Sequence, residues 1–206
     1  MVNYKLTYFP TRGNGELPRQ ILAYSGHPFE DIRVPKDQWP SMKSSAPFGQ
    51  LPVLEVDGKQ LAQSRAIARY LAKEFGINGK DSWEEGQVDA LAEQHKDYLN
   101  EVRPYFRVKR GFVEGDEEQL FKDVFQPAFK KHYTFFRKAL ETSGSGFLVG
   151  SSLTWVDILF AEHTADLLFA DLTIFDEFPE FKEHQKKIHS IDNIKHWIEN
   201  RPITTM

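Results

Sequence analysis

The sequence predicts a small α/β domain, with helices packed on a mixed four-stranded sheet, followed by an all-helical domain. Strand-like alternation is confined to residues 1–76, where the elements run β-α-β, a loop, then β-β-α. Beyond Gly76-Ile77-Asn78-Gly79-Lys80 the strand patterns stop and apolar residues recur at helical spacing. Residues 77–81 therefore read as a linker between domains at 1–76 and 82–206.

Each element has a local reason. Tyr4–Phe9 alternates like a short strand, and Gly13-Asn14-Gly15 breaks it. Glu16–Tyr24 reads as a helix, with Pro18 tolerated in its first turn. Gly26 and Pro28 end that helix, and Phe29–Val34 forms a second strand. Val53–Val56 and Lys59–Ala62 flank Asp57-Gly58, a hairpin dipeptide because both residues tolerate positive φ. Ser64 is expected to cap a helix through Phe75 that presents Ile67, Tyr70 and Leu71 on one face.

In the second part, Ser82 with Glu85 makes a capping box ahead of Val88, Leu91, Leu99, Val102 and Phe106. Asp116 with Gln119 opens another helix, reaching about Leu140 and kinked at Pro127, which cannot donate its backbone bond. The aromatic residues from Phe121 to Phe136 read as packing. Gly144-Ser145-Gly146 interrupts the pattern. Thr154-Trp155-Val156-Asp157 resembles a capping box with Leu153 and Ile158 as its staple, so Asp157 is assigned to folding. Pro179–Ser190 and Asn193–Glu199 complete the helices.

Composition removes whole classes of chemistry. The chain has 206 residues, 40% hydrophobic and 27% charged, a globular profile. It contains no cysteine, which excludes disulfides, thiolate metal sites, CxxC redox chemistry and a cysteine nucleophile. A net charge of −4 offers no basic footprint for nucleic acid, and Arg107–Arg110 reads as a solvated helix face. No apolar run approaches the ~18 residues of a membrane span, and MVNYKLTYF has no signal-peptide core. The expectation is a cytoplasmic protein without membrane or nucleic-acid partners.

Several motifs fall away on inspection. Gly13-Asn14-Gly15 begins a GxGxxG, but Pro18 stands where the third glycine belongs. His184 and His189 are five apart and share no helical face, no HExxH occurs, and no metal site is expected. No GxSxG elbow is present.

One constellation remains. Tyr8-Phe9 closes the first strand and leads into Thr11-Arg12-Gly13-Asn14-Gly15-Glu16, with Arg19 on the helix. Trp39 and Lys43 follow in the loop, then Phe48-Gly49-Gln50-Leu51-Pro52 before the hairpin, and Gln63-Ser64 at a helix start. The patterns YFxxRGxGE, PFGQLPVLEVDG and QSxAIxRYLA, with SLTWVDILFAEH and IKHWIENRP further on, resemble the cytosolic glutathione transferase superfamily across the whole chain. Within it the similarity is to the sigma class of helminth transferases and haematopoietic prostaglandin D synthase. The resemblance implies a thioredoxin-like first domain, an all-α second domain and a homodimer.

It also implies site residues. Tyr8 matches the family's tyrosine donor to the glutathione sulfur. A free thiol with a pKa of ~8.5 is only ~3% ionised at pH 7, and lowering it by ~2 units raises that to ~75%. Pro52 matches the family's cis-proline, with the backbone of Leu51 pairing to the cysteinyl part. Ser64 and Gln63 match the γ-glutamyl contacts, and a helix start suits a carboxylate there. Trp39 and Lys43 match the holders of the glycyl carboxylate, and Gln50 is a further candidate. Asp97 matches an acidic residue that reaches the ligand from the neighbouring subunit, and Phe48 stands where related classes insert an aromatic key into the partner. Phe9, Arg12, Gly13, Leu99, Val102 and Phe106, with the C-terminus, are the candidate walls of an apolar pocket between the domains.

Asn14 departs from sigma enzymes that carry arginine there, and this weighs against prostaglandin isomerisation more than against conjugation. The implied function is conjugation of glutathione, as substrate, to hydrophobic electrophiles, with no tightly bound cofactor. A carrier of apolar ligands such as haem and a glutathione-dependent prostaglandin isomerase are the alternatives.

Overall fold

The computed structural model describes residues 2–170 and 173–204. Residues 205–206, at the C-terminus named as a pocket wall, lie outside the described residues. Two compact units emerge: one spans the chain up to Asn78 together with the part from Asp157 onward, and the other spans Gly79–Val156.

The first unit is built on β1 (Tyr4–Tyr8), α1 (Gly13–Ser25), β2 (Phe29–Arg33), β3 (Val53–Val56), β4 (Lys59–Ala62) and α3 (Ser64–Glu74). Strand order is β2-β1-β3-β4. β1 and β2 run parallel, with Tyr8 opposite Arg33, and the other two pairs are antiparallel. Leu6, Ile21, Leu54, Ile67 and Leu71 are fully buried, so sheet and helices share one apolar layer. The hairpin is as predicted, with φ 49° at Asp57 and 82° at Gly58. α7 (Trp155–Ala170), α8 (Pro179–His189) and α9 (Asp192–Asn200) complete the helices beyond the second unit.

Three details depart from expectation. α1 begins at Gly13, not Glu16, so Pro18 lies inside it rather than in its first turn. Gln63, with φ 76°, occupies the cap position of α3, and Ser64 is the first helical residue. The Gln63 carbonyl already accepts the first helical bond, from the N–H of Ile67 at 2.9 Å, which defines the cap. The loop that carries Trp39 and Lys43 contains a short helix, α2 (Trp39–Met42), and a 3₁₀ turn at Lys43–Ser45.

The second unit holds α4 (Ser82–Lys109), α5 (Glu117–Leu120) and α6 (Gln126–Ser143). Asp81, one residue before the expected Ser82, caps α4 by accepting from the N–H groups of Trp83 and Glu84. Asp116 caps α5 and accepts from Gln119 N–H, as expected. Where Pro127 predicts a kink, the chain widens into a π-helical turn at Phe121–Phe125, just ahead of the proline. A π turn leaves the backbone carbonyls near a missing N–H with other partners. Phe125, Phe129, Tyr133 and Phe136 are buried as read, whereas Phe135 is exposed on the opposite face. Among the described residues no helix is long and apolar enough to cross a membrane.

Candidate functional site

Strand register gathers the predicted residues at one end of the sheet. Thr7 lies opposite Val53, and Val53 lies opposite Ala62. One step further in the same direction stand Tyr8, Pro52 and Gln63, followed by Ser64 at the start of α3. The positive end of the helix dipole at that start suits an anionic group. The Leu51–Pro52 peptide is cis, and Leu51 lies just before β3 begins.

Tyr8 is held on every side. Its carbonyl accepts from Val34 N–H at 2.8 Å, and its hydroxyl accepts from the backbone N–H of Asn14 at 3.1 Å. That bond leaves the hydroxyl proton free to be donated. The ring lies against the start of α1, where two glycines allow the approach. A Cβ at Gly13 would lie 2.8 Å from Tyr8 Oη, and one at Gly15 would lie 2.5 Å from ring carbon Cδ1. Gly15 is therefore required by space rather than by backbone angle. Gly15→Ala is expected to cost about 1–3 kcal/mol by overpacking. Urea unfolding reads this, and an unchanged midpoint would show that the ring moves aside freely.

Aromatic rings continue from Tyr8. Phe9 packs edge-on to it at 5.4 Å between centroids, and Trp39 packs edge-on to Phe9 at 5.8 Å. Lys43 is exposed, and its chain passes 3.5 Å from where a Cβ of Gly49 would be. Gln63 Nε2 lies 3.5 Å from Gln50 Oε1, so the two exposed amides face each other. Phe48 is 66% exposed, available for burial by another surface. In the second unit α4 carries Asp97 and Leu99 exposed, Phe106 half-buried and Val102 fully buried.

Arg12 is committed elsewhere. Its guanidinium pairs with Glu162 at 3.5 Å and Asp166 at 2.9 Å. It joins a buried charge network whose members lie far apart in the chain. Glu16 accepts from Trp197 Nε1 at 2.8 Å and from Arg201 at 2.6 Å. Its other oxygen lies 3.4 Å from Arg19. Arg19, fully buried, donates to the carbonyls of Phe9 and Thr11 at 3.2 and 2.8 Å and to Asp31 at 2.8 Å. Its guanidinium sits 5.6 Å from the Tyr8 ring centroid. Glu162 accepts from Gln20 at 2.6 Å and lies 3.3 Å from Arg201.

Burial pushes Glu16 up, but Arg201, the Trp197 hydrogen bond and Arg19 outweigh it and hold the carboxyl below its ordinary range. Glu162 is pushed up to about 7 by burial and by the neighbouring Asp166 and Glu16. His189 is pushed down to about 4 by burial and by Arg201 and His184. The 3.9 Å approach of His189 to Glu162 is thus between two groups that both favour their neutral forms.

Nothing in the local sequence around Glu16 or Arg201 points to this network. The local signal for Glu162 is an acid directly after the apolar run Ile158–Ala161.

Comparison with known proteins establishes the family. Residues 4–73 match the family model for the glutathione S-transferase N-terminal domain, and residues 93–201 match that for the C-terminal domain. The chain is 66% identical to a probable glutathione S-transferase 7 of Caenorhabditis elegans, with 99% of both chains covered. The crystal structure of a nematode-specific glutathione S-transferase of Caenorhabditis elegans is 59% identical, covers 100% of both chains and superposes with a TM-score of 0.97. A Nu-class transferase structure from Haemonchus contortus is 51% identical over 100% of both chains, with a TM-score of 0.93. With both family models matched and identity of this level over full length, the chain belongs to the glutathione S-transferase family.

Proposed function

We propose that the protein conjugates glutathione to hydrophobic electrophiles, with the Tyr8 hydroxyl stabilising the thiolate. The observation that carries this reading is the meeting of Tyr8, Pro52, Gln63 and the start of α3 at one sheet end. The Tyr8 oxygen takes its hydrogen bond from Asn14 and keeps its own proton for an acceptor. A sulfur placed there gains a donor, which favours its charged form. The γ-glutamyl carboxylate suits the α3 N-terminus, with Ser64 and Gln63 beside it and Gln50 facing Gln63. The backbone of Leu51 takes the cysteinyl part as an added strand. Lys43 and Trp39 receive the glycyl carboxylate.

Asp97, exposed on α4, serves the γ-glutamyl amine of a neighbouring subunit in a homodimer, with Phe48 as a contact between subunits. Fixing both reactants supplies rate by proximity. Asn14 offers its backbone N–H and an uncharged side chain beside Tyr8. That favours general conjugation over prostaglandin isomerisation, and the Tyr8 donor favours a catalytic role, in the cytoplasm, over haem carriage alone.

The test is steady-state conjugation of glutathione to an aryl halide. Turnover is expected, and Ser64→Ala is expected to raise the KM for glutathione on the order of ten-fold, since a bond to a charged group is worth ~1.5–3 kcal/mol. Absence of turnover would overturn the reading, and an unchanged KM would remove Ser64 from the site.

A further inference from the structure

We propose that Trp197 and Arg201, at the end of the chain, are positioning residues that set the place of the Tyr8 hydroxyl through Glu16 and Arg19. The proposal rests on the reading of Tyr8 as the thiolate donor and adds what holds that donor in place.

Each link is a direct contact. Trp197 and Arg201 both donate to one oxygen of Glu16, at 2.8 and 2.6 Å. The other oxygen of Glu16 faces Arg19 at 3.4 Å. Arg19 holds the carbonyls of Phe9 and Thr11, the residues on which the chain leaves β1. The next residues, Gly13 to Gly15, wrap the Tyr8 ring, and Asn14 N–H reaches its oxygen. The turn after β1 is exposed at Gly13 and Asn14, whereas Glu16 and Arg19 beneath it are buried. The buried charge-assisted bonds beneath this exposed first turn of α1 help to set its position. A shift of about 1 Å in a catalytic donor is enough to lose much of its effect.

Arg201 also joins this device to α7. The same guanidinium nitrogen lies 3.3 Å from both oxygens of Glu162, and Glu162 pairs in turn with Arg12, the residue immediately before Gly13. The chain that leads into Gly13 is therefore held at Phe9 and Thr11 by Arg19 and at Arg12 by Glu162. Trp197 has a second anchor in Phe29, whose ring centroid lies 5.5 Å away, so the indole is placed independently of Glu16.

Two variants that keep the net charge test the proposal. Trp197→Phe removes one donor to Glu16 and keeps an aromatic ring beside Phe29. Arg201→Lys keeps the cation and replaces the planar guanidinium whose one nitrogen bridges Glu16 and Glu162 by a shorter, flexible ammonium. Tyr8→Phe is the reference. The readouts are the pH profile of kcat/KM, the thiolate absorbance of bound glutathione, the KM for glutathione and the unfolding midpoint. The expected result is a several-fold loss of kcat/KM at neutral pH. The profile moves to higher pH in the same direction as in Tyr8→Phe, with little change in KM.

A lower kcat on an unmoved profile would mean that the contact merely maintains the folded fraction, and it would overturn the proposal. If Tyr8→Phe moves the profile and neither variant does, the inference fails while the Tyr8 reading stands. If Tyr8→Phe leaves the profile unmoved, the Tyr8 reading has failed and the inference falls with it. Should Arg201→Lys fold poorly, Trp197→Phe decides alone, because it leaves every charge of the network in place.

Discussion

Tyr8→Phe is expected to lower conjugation at neutral pH by roughly 25-fold while leaving glutathione affinity nearly intact. The size follows from ionisation. A donor that lowers a thiol pKa by ~2 units from ~8.5 raises the thiolate fraction at pH 7 from ~3% to ~75%. Phenylalanine removes the donor and little else. The ring keeps its place against Gly13, Gly15 and Phe9, and the Asn14 N–H it abandons belongs to an exposed residue that water can reach. The variant is therefore expected to unfold at nearly the wild-type midpoint. Its deficit should close as the pH approaches that of the free thiol, where ionisation no longer needs help. Steady-state rates against pH check this. An unchanged rate at neutral pH would sink the mechanism, and a uniform deficit at every pH would point to misplacement of substrate rather than to thiol ionisation.

Much of the fold was legible because its signals are local. The hairpin was read to the residue, since Asp57-Gly58 must take positive φ and few dipeptides can. Helix starts were read less sharply. Asp81 and Ser82 can both cap, and Gln63 and Ser64 are adjacent, so the choice depends on where the preceding chain enters. Pro127 predicts a kink, and the chain instead takes a π-helical turn ahead of it, because a proline removes one bond without saying how its neighbours re-pair.

The charge network was beyond reach for a different reason. Glu16 and Arg201 stand 185 positions apart, and nothing in either local pattern marks it as buried against the other. The missing cysteine takes on another sense beside this site. It excluded thiol chemistry by the chain itself, and in the proposed reaction the thiol arrives with glutathione.

The contributions of Glu162 and His189 to stability are expected to oppose and nearly cancel each other in the wild type where both titrate, and to emerge in either single variant. Glu162 has an ordinary value of 4.5 and is raised to about 7 in the folded chain. Between those values the folded chain binds more protons than the unfolded one. Its contribution to stability is thus complete below 4.5 and lost as pH rises through about 7. His189 has an ordinary value of 6.5 and is lowered to about 4, so its contribution is complete above 6.5 and lost as pH falls through about 4. The two slopes oppose each other where the windows overlap, and each amounts to about 3 kcal/mol over its window.

Burial leads for both displacements, with Asp166 and Glu16 acting on Glu162, and Arg201 and His184 acting on His189. Arg12, Arg201 and Gln20 also face Glu162, and Gln185 holds His189 Nδ1 at 2.7 Å. Glu162→Gln should therefore uncover the histidine, with stability relative to wild type falling as pH drops. His189→Gln should uncover the carboxyl, with relative stability falling as pH rises. Urea unfolding midpoints at several pH values, taken as differences from wild type, cancel the carboxylates common to all three proteins. Differences that stay constant with pH in both variants would show that neither group changes its protonation on folding. Opposite slopes would show that the Glu162 carboxyl gains, and the His189 imidazole loses, affinity for a proton on folding.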